Sequence, residues 1–284
     1  MRELLAQIDD WQAAGVDFGR AVLVRAFGSA PRPPGATLLV AADGRLAGSV
    51  SGGCVEAACA EEVARARATG TARVVRYGIS DERAWDVGLA CGSTIDVLIE
   101  AAVRDELIAA ARADDDRLVV TQLPADAPPD DPPAVPLDAA GLARAEQAAL
   151  RDGRSRVVSA AAGQLFIEAF PAQPRLVVFG ATDVAAALAK LAREVGYRVA
   201  VVDARAAYAT ADRVPDADEL LLGWPDDVAG RLALAPPDAV AVLTHDPKLD
   251  DPAVLLAMRA GCRYIGAIGS RRTQSARRER LRAA

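Results

Sequence analysis

The residues best suited to chemistry lie in one glycine-rich stretch, Gly48–Glu56. Its adjacent glycines, Gly52 and Gly53, would let the backbone approach a ligand closely, and the free N–H groups at the start of a following helix attract anions. Cys54 is expected in the first turn of that helix, where the helix dipole favours the thiolate form. Two hydroxyls are also present, those of Ser49 and Ser51. The stretch could bind an anion or a soft metal, or it could be a tight structural turn with a small buried cysteine.

A proline-rich loop upstream, Gly28–Ala36, carries a further candidate ligand for an anion. Arg32 stands between Pro31 and Pro33, and prolines fix φ and stiffen a loop. An arginine held in this way has little backbone entropy left to lose when it binds an anion. Ser29 precedes it. The alternative is an ordinary surface loop.

A second cysteine follows a long loop that contains three glycines. Cys91 and Gly92 stand just before the apolar strand Thr94–Glu100. Because thiolates suit soft metals, Cys54 and Cys91 are candidates to hold such a metal or to carry sulfur.

The C-terminal part of the chain shows the pattern of a dinucleotide-binding fold. The apolar strand Arg175–Phe179 leads into Gly180 and a helix, and the next strand ends at Asp203, 23 residues after that glycine. The helix carries larger apolar residues on one face, namely Val184, Leu188, Leu191 and Val195. The glycine pattern is imperfect, because Thr182 has a side chain where close approach of a pyrophosphate favours none.

Two later strands of this part also end in polar residues. His245 follows the strand Ala239–Leu243, and Gly269, Ser270 and Arg271 follow the strand Tyr264–Ile268. Strand ends of this kind lie at the carboxyl edge of a parallel sheet, where ligands bind. A hydroxyl and a guanidinium at a helix start suit a phosphate. The alternative for His245 is a capping or core histidine.

These elements predict two domains that position the candidate residues. An N-terminal mixed α/β domain is expected over residues 1–171, followed by a Rossmann-like doubly wound parallel-sheet domain over residues 172–284. The boundary is placed at Pro171–Pro174, where hairpin-like strands give way to alternating strands and helices. The overall fold class is therefore α/β.

Composition narrows the function classes. The 284 residues are 52% hydrophobic, enough for a sizeable core, and the net charge of −6 argues against a nucleic-acid binder. No apolar run is long enough to span a membrane, and no signal peptide is apparent at Met1. With His245 as the only histidine and no CxxC pair, a structural zinc site is not expected. The chain is expected to be cytoplasmic, with reduced thiols.

Four separated motifs together resemble the XdhC/CoxI family over essentially the whole chain. They are GSAPRPPGA, GSVSGGCVE, YGISDERAWDVGLACGS and, after the Rossmann half, LTHD with YIGAIGSRRT. The resemblance implies a maturation factor that binds the molybdenum cofactor, as molybdopterin or its dinucleotide form, and assists its sulfuration and insertion into a molybdenum hydroxylase. The implied partner is the apo-enzyme, of the xanthine dehydrogenase type. A cysteine desulfurase and a homodimer are also compatible with the resemblance.

The resemblance carries cofactor-binding roles to matching positions of this chain. These are Ser29, Arg32, Ser49, Ser51, Gly52, Gly53, Cys54, Glu56, Cys91, Gly92, Gly180, His245, Ser270 and Arg271. Thr182 and Asp183 replace a glycine–histidine pair found in many members, which weakens the expectation of NAD(P) binding.

Two hypotheses of different classes follow. The first is a cofactor-binding accessory protein without turnover of its own. The second is an NAD(P)-dependent oxidoreductase that uses the Rossmann-like domain, with His245 as proton donor. The two cysteine loops favour the first, since a dehydrogenase does not need them, and a lone histidine without a positioned partner is a weak catalytic signal.

Overall fold

The chain divides into two units, Met1–Ala172 and Gln173–Ala284. The computed structural model describes residues 1–78, 93–129 and 134–283. The first unit contains antiparallel sheets and the second a parallel sheet, each packed with helices. The predicted α/β fold class is thereby confirmed.

An antiparallel five-stranded sheet forms the centre of the first unit. Its strands are β1 (Phe18–Phe27), β2 (Thr37–Ala41), β3 (Leu46–Gly48), β4 (Arg73–Tyr77) and β5 (Thr94–Glu100). They lie side by side in the order β3-β2-β1-β5-β4. The strand β3 ends at Gly48, which adopts a φ of 83° and turns the chain.

Helices cover both faces of this sheet. They are α1 (Leu5–Ala13), preceded by a 3-10 turn at Arg2–Leu4, α2 (Glu56–Thr69) and α3 (Asp105–Arg112). A fourth helix, α4 (Ala139–Asp152), packs on the second, smaller sheet of this unit. Cys59 and Val63 of α2 pack in one core cluster with Leu23 and Ile99 of the sheet. A second cluster joins α1 and α3 to Leu39 on the opposite side. Leu38 and Leu39 therefore point to different faces, as successive strand residues do.

A smaller sheet completes the first unit and is tied to the larger one by a buried arginine. Its strands are β6 (Arg117–Gln122), β7 (Arg156–Ala160) and β8 (Gly163–Phe170), in the order β6-β8-β7. The fully buried Arg20 of β1 donates to Glu100 of β5 and, at 3.0 Å to each oxygen, to Glu168 of β8. This bidentate, charge-assisted pair joins the two sheets.

The second unit is built on five parallel strands. They are β9 (Arg175–Phe179), β10 (Arg198–Asp203), β11 (Glu219–Leu222), β12 (Ala239–Val242) and β13 (Tyr264–Ala267). The helices are α5 (Asp183–Glu194), α6 (Pro225–Leu232), α7 (Pro247–Arg259) and α8 (Arg271–Ala283). The sheet order β11-β10-β9-β12-β13 reverses direction between β9 and β12, as in doubly wound folds. Ligands of such folds bind at the carboxyl edge beside that reversal.

Helix α5 packs on this sheet through small residues. Ala185 and Ala189 are fully buried, whereas Leu191 is 65% and Val195 73% exposed. Val184, Leu188, Leu191 and Val195 lie along one face of α5, as predicted. Most of that face points away from the sheet, and the alanines face the sheet instead.

Candidate functional site

The proline loop of the first unit begins where three strands of its large sheet lie side by side. Phe27, the last residue of β1, pairs with Thr94, the first of β5, and Tyr77, the last of β4, pairs with Ile95. The proline loop therefore begins beside Ser93, the described residue that precedes β5. A side chain placed on Gly28 would come within 4.0 Å of the Cα of Ser93. Cys91 and Gly92 themselves lie outside the described residues.

The glycine-rich turn reaches the same neighbourhood. It leaves β3 at Gly48, and a Cβ on that residue would overlap the carbonyl oxygen of Thr37, so only glycine fits there. Gly52 and Gly53 have φ values of 86° and 118°, in the left-handed region that favours glycine. The side chain of Pro31 lies about 3.9 Å from where a Cβ of Gly52 would be. The turn and the proline loop are therefore neighbours.

The carboxylate of Glu56 folds back over this turn. It accepts hydrogen bonds from the hydroxyls of Ser49 at 2.5 Å and Ser51 at 2.6 Å. It also accepts from four backbone amides at 2.9–3.1 Å, those of Val50, Ser51, Gly53 and Val55. A side chain that closes on the amides before its own helix acts as a cap.

The serine hydroxyls satisfy the remaining amides of the turn. Ser49 Oγ accepts from the amide of Gly52 at 2.8 Å, and Ser51 Oγ accepts from the amide of Cys54 at 3.0 Å. Every amide from Val50 to Val55 therefore donates to a side chain within the turn. The amides expected to be free for an external anion are already engaged, four of them by the carboxylate of Glu56 and the others by the serine hydroxyls.

Electrostatics keep Glu56 charged. Burial alone would raise its pKa, but hydrogen bonds from the hydroxyls of Ser49 and Ser51 and from the backbone outweigh burial and hold the pKa at about 2. The carboxylate is therefore ionised at neutral pH. The hydrogen bonds to this ionised carboxylate hold the turn in one conformation.

The cysteines of the turn and helix differ in environment. Helix α2 begins at Glu56, so Cys54 precedes the helix instead of lying in its first turn, and it is half-buried. Cys59 is fully buried, and burial raises the pKa of its thiol to about 12. Cys262, in the second unit, is half-buried. Of Cys54 and Cys59, Cys54 is the thiol that an external group can reach.

Arg32 is the one basic residue in the proline loop. Its Nη2 lies 3.4 Å from the carboxylate of Glu3 in an exposed contact, while its Nε is buried without a hydrogen-bond partner among the described residues. Ser29 is exposed. The guanidinium of Arg32 is only weakly engaged, and it can therefore bind an anion at low cost.

A crevice of about 650 Å³ lies at the carboxyl edge of the parallel sheet in the second unit. His245 lines it, together with Thr182, Arg205, Tyr208, Trp224 and Asp246. Its volume is that of a small-molecule site. Ser270 and Arg271 lie outside this lining. Ser270 accepts the amide of Thr273 at 3.2 Å and so caps α8, whereas Arg271 is exposed.

Asp203 is buried at the end of β10 with all of its acceptor sites occupied. Its Oδ1 accepts from the amide and Nε of Arg205, each at 2.9 Å, and its Oδ2 accepts from Nη2 of Arg205 and the amide of Ala181, each at 2.8 Å. Burial would raise the pKa of Asp203, but the hydrogen bonds of Arg205 hold it below its usual range. A carboxylate has about four acceptor sites, so none is left for the ribose hydroxyls of a dinucleotide.

Gly180 serves close packing between strands. Its φ is 105°, and a Cβ there would overlap the methyl group of Thr244. Thr244 in turn donates to the buried carboxylate of Asp250, which also accepts from Arg277 at 2.7 Å. Gly269 adopts a φ of 149° at the turn into α8.

Sequence reasoning missed three residues of the crevice, namely Arg205, Tyr208 and Trp224. Each follows the carboxyl end of β10 or β11 by a few positions. The rule that ligands bind beyond the carboxyl ends of parallel strands would have selected this region. The sequence offered no sign of which side chains there turn inward.

Neither a cluster of metal ligands nor a membrane-spanning helix is found in the described part of the chain. Within residues 1–78, 93–129 and 134–283, no group of three or more His, Cys, Asp or Glu side chains is placed to hold a metal ion. Over the same residues, no helix has the length and apolar character needed to cross a membrane.

Comparisons with known proteins cover both units. Residues 11–78 match the model of the XdhC and CoxI family, and residues 176–284 match the XdhC Rossmann domain. A probable xanthine dehydrogenase component of Bacillus subtilis (strain 168) is 28% identical over 263 residues, which are 88% of this chain and 78% of that protein. The molybdenum cofactor insertion chaperone PaoD of Escherichia coli (strain K12) is 30% identical over 263 residues, 91% of this chain and 69% of that protein.

A solved structure shares the fold. The crystal structure of a xanthine dehydrogenase from Bacillus halodurans superimposes with a TM-score of 0.75 and 22% identity, covering 97% of this chain and 84% of that one. The family matches include the glycine-rich turn in the first unit and the crevice in the second. The chain belongs to the XdhC/CoxI family.

Proposed function

We propose that this protein is a molybdenum cofactor insertion chaperone that serves a molybdenum hydroxylase of the xanthine dehydrogenase type. The observation that carries the proposal is the 30% identity to a molybdenum cofactor insertion chaperone over 91% of the chain, which includes both units. The cofactor is the cargo of such a chaperone, and the apo-hydroxylase is its partner.

The first unit offers groups that fit this cargo. The molybdenum cofactor joins a pterin and a phosphate-bearing end to a sulfur-coordinated metal. The half-buried thiol of Cys54 suits a soft, sulfur-rich centre. Gly52 and Gly53 have no side chains, so a flat ring can approach the backbone there.

The backbone amides of the turn are engaged, so the phosphate of the cofactor would bind a different group. Because Glu56 and the two serines already accept every amide from Val50 to Val55, a second anion would find no free donor in that backbone. Arg32 lies on the loop next to Gly52, its Nε has no hydrogen-bond partner within the described residues, and its guanidinium is partly exposed. We assign phosphate binding to Arg32.

The internal capping of the turn also supports the role. A turn held by Glu56 presents Cys54 in one position before the cargo arrives, so little conformational entropy is lost on binding. Release to the apo-enzyme then requires no unfolding of the turn.

The same proposal includes the transfer of sulfur, the form of the cofactor, the cellular location and the oligomeric state. Cys54, together with Cys91, would carry sulfur delivered by a cysteine desulfurase, and the cargo would be molybdopterin or its dinucleotide form. The protein would act in the cytoplasm, as a homodimer. An NAD(P)-dependent oxidoreductase is less well supported, because Asp203 has no free acceptor and His245 has no hydrogen-bond or ion-pair partner among the described residues.

The experiment is a loading and transfer assay with the full chain. The protein is incubated with molybdenum cofactor released from a purified molybdoenzyme and desalted. Bound molybdenum and bound pterin are then measured separately, and transfer is followed by reactivation of an apo-xanthine dehydrogenase. Cys54→Ala and Arg32→Ala should each lower the bound fraction at least several-fold, whereas Cys59→Ala should load normally. Wild-type protein that retains neither molybdenum nor pterin would refute the proposal.

A further inference from the structure

The crevice of the second unit has the location of a nucleotide site but lacks the usual means of reading a ribose. It lies at the carboxyl edge beside the reversal of strand order between β9 and β12. In dinucleotide-binding folds, an acid at the end of the second strand accepts the ribose hydroxyls. Asp203 occupies that position here, but Arg205 and the amide of Ala181 fill its acceptor sites.

Arg205 and Tyr208, which both line the crevice, are stacked on each other. The guanidinium of Arg205 lies 3.7 Å from the ring centroid of Tyr208, whereas Arg213, at 4.8 Å from the same centroid, is outside the lining. Guanidinium planes and aromatic rings are surfaces on which planar heterocycles stack. Trp224, 44% exposed, contributes a further ring to the lining. The apolar part of the crevice therefore suits a planar ring.

One acceptor in the lining remains open to a ligand. Asp246 caps helix α7 by accepting the amide of Lys248 at 2.9 Å with its Oδ1. Among the described residues, no protein group donates a hydrogen bond to its Oδ2. A free carboxylate oxygen in a ring-binding crevice accepts from an exocyclic amino group, as acidic side chains do from cytosine. A carbonyl at the same ring position would be repelled.

We propose that this crevice binds an amino-substituted nitrogen heterocycle, recognised by stacking against Trp224 and the Arg205–Tyr208 pair and by a hydrogen bond to Asp246, without reading the ribose diol. Adenine, cytosine and the pterin ring share this chemistry. The proposal concerns free compounds and does not depend on the chaperone function, so a failed loading assay would leave it standing.

The test uses pairs of ligands that differ by one group, with binding to the full chain measured by calorimetry. AMP is compared with IMP, CMP with UMP, and pterin with lumazine, since the second member of each pair has an oxygen in place of the amino group. Within at least one pair, the amino compound should bind about tenfold tighter, as expected for one hydrogen bond to a charged acceptor. A response confined to the nucleotides identifies a base site, and one confined to pterin identifies a pterin site. AMP and 2′-deoxy-AMP should bind equally if AMP binds.

Two variants test whether the preference for the amino compound arises in this crevice. Asp246→Asn keeps an oxygen that can cap α7, so folding is preserved, but it should abolish the preference for the amino compound. Trp224→Ala should weaken both members of a pair about tenfold, the size of a lost stacking contact. Tyr264→Ala is the matched control, because Tyr264 is an exposed aromatic residue on the same sheet that does not line the crevice.

Three outcomes would overturn the proposal. The first is that none of the six compounds binds, and the second is equal affinity within every pair. The third is a preference that Asp246→Asn leaves unchanged.

Discussion

The hydroxyl of Ser51 donates to the carboxylate of Glu56 at 2.6 Å and at the same time accepts the amides of Cys54 and Val55 at 3.0 and 3.1 Å. Backbone amides that converge in a turn form a concave anion site, which in many proteins is filled by a phosphate. Here the chain fills the site with its own carboxylate, five residues away from Ser51. The turn is thereby preorganised around Cys54 and is not open to a second anion.

Glu56→Gln should destabilise the first unit. The carboxylate accepts six hydrogen bonds, and an amide group can accept at only one of its two ends. The free energy of unfolding should fall by about 1–3 kcal/mol, measured by urea denaturation. Glu61→Gln, on the exposed side of the same helix, is the control and should change stability by less than about 0.5 kcal/mol. Equal effects of the two substitutions would contradict this role of Glu56.

The contribution of Glu56 should also depend on pH. Its pKa is about 2 in the folded protein, against 4.5 for an unperturbed glutamate, so folding favours the ionised form. The stabilisation is therefore complete above pH 4.5 and is lost as the pH falls toward 2. The difference in unfolding free energy between wild type and Glu56→Gln should shrink over that interval. A difference that stays constant from pH 6 to pH 2.5 would be inconsistent with the low pKa.

Gly180→Ala should destabilise the second unit through a clash with Thr244. The alanine would adopt a φ of 105° and its Cβ would overlap the Thr244 methyl group, at a cost of about 1–3 kcal/mol. Thr244→Ser removes that methyl group and keeps the hydroxyl that bonds Asp250. In a double-mutant cycle, Thr244→Ser should therefore recover part of the loss. Gly230→Ala, within α6 and with open space around it, is the control and should not destabilise. Strict additivity of the two changes would refute the clash.

Cys54 and Cys59 should differ in reactivity. Burial raises the pKa of Cys59 to about 12 and leaves the side chain without solvent access, so it should not react with iodoacetamide in the native state at pH 8. Cys54, which is half-buried, should be alkylated under the same conditions. Peptide mass spectrometry after timed quenching separates the two. Labelling of Cys59 at the rate of Cys54 would show that α2 opens readily in the native protein.

Much of the fold could be read from the sequence because its signals are local. The strands Thr94–Glu100 and Arg175–Phe179 have the bounds that their apolar runs predict, since turn residues, Gly92–Ser93 and Pro174, precede them. The glycine before α5 and the acid at the end of β10 indicated the parallel-sheet fold, because the spacing between them is the length of one helix and one strand.

The apolar residues of α5 were predicted to lie on one face, but the sequence did not indicate which face of the helix packs on the sheet. The structure buries the alanines and exposes Leu191 and Val195. Small side chains let the helix approach the strands closely, and that choice depends on the shape of the opposing surface. Hydrophobic periodicity identifies a face without identifying its neighbour.

The order of residues along the chain was enough to predict the fold class, the family resemblance and the stretches that carry chemistry. How those stretches are used depends on the contacts that they make in the folded protein. The carboxylate of Glu56 could have faced solvent, but it accepts a hydrogen bond from Ser51. The carboxylate of Asp203 could have been free to bind a ribose, but it accepts a hydrogen bond from Arg205. A side chain's hydrogen-bond partners depend on which groups folding brings within about 3 Å, and the order of residues along the chain does not specify those distances.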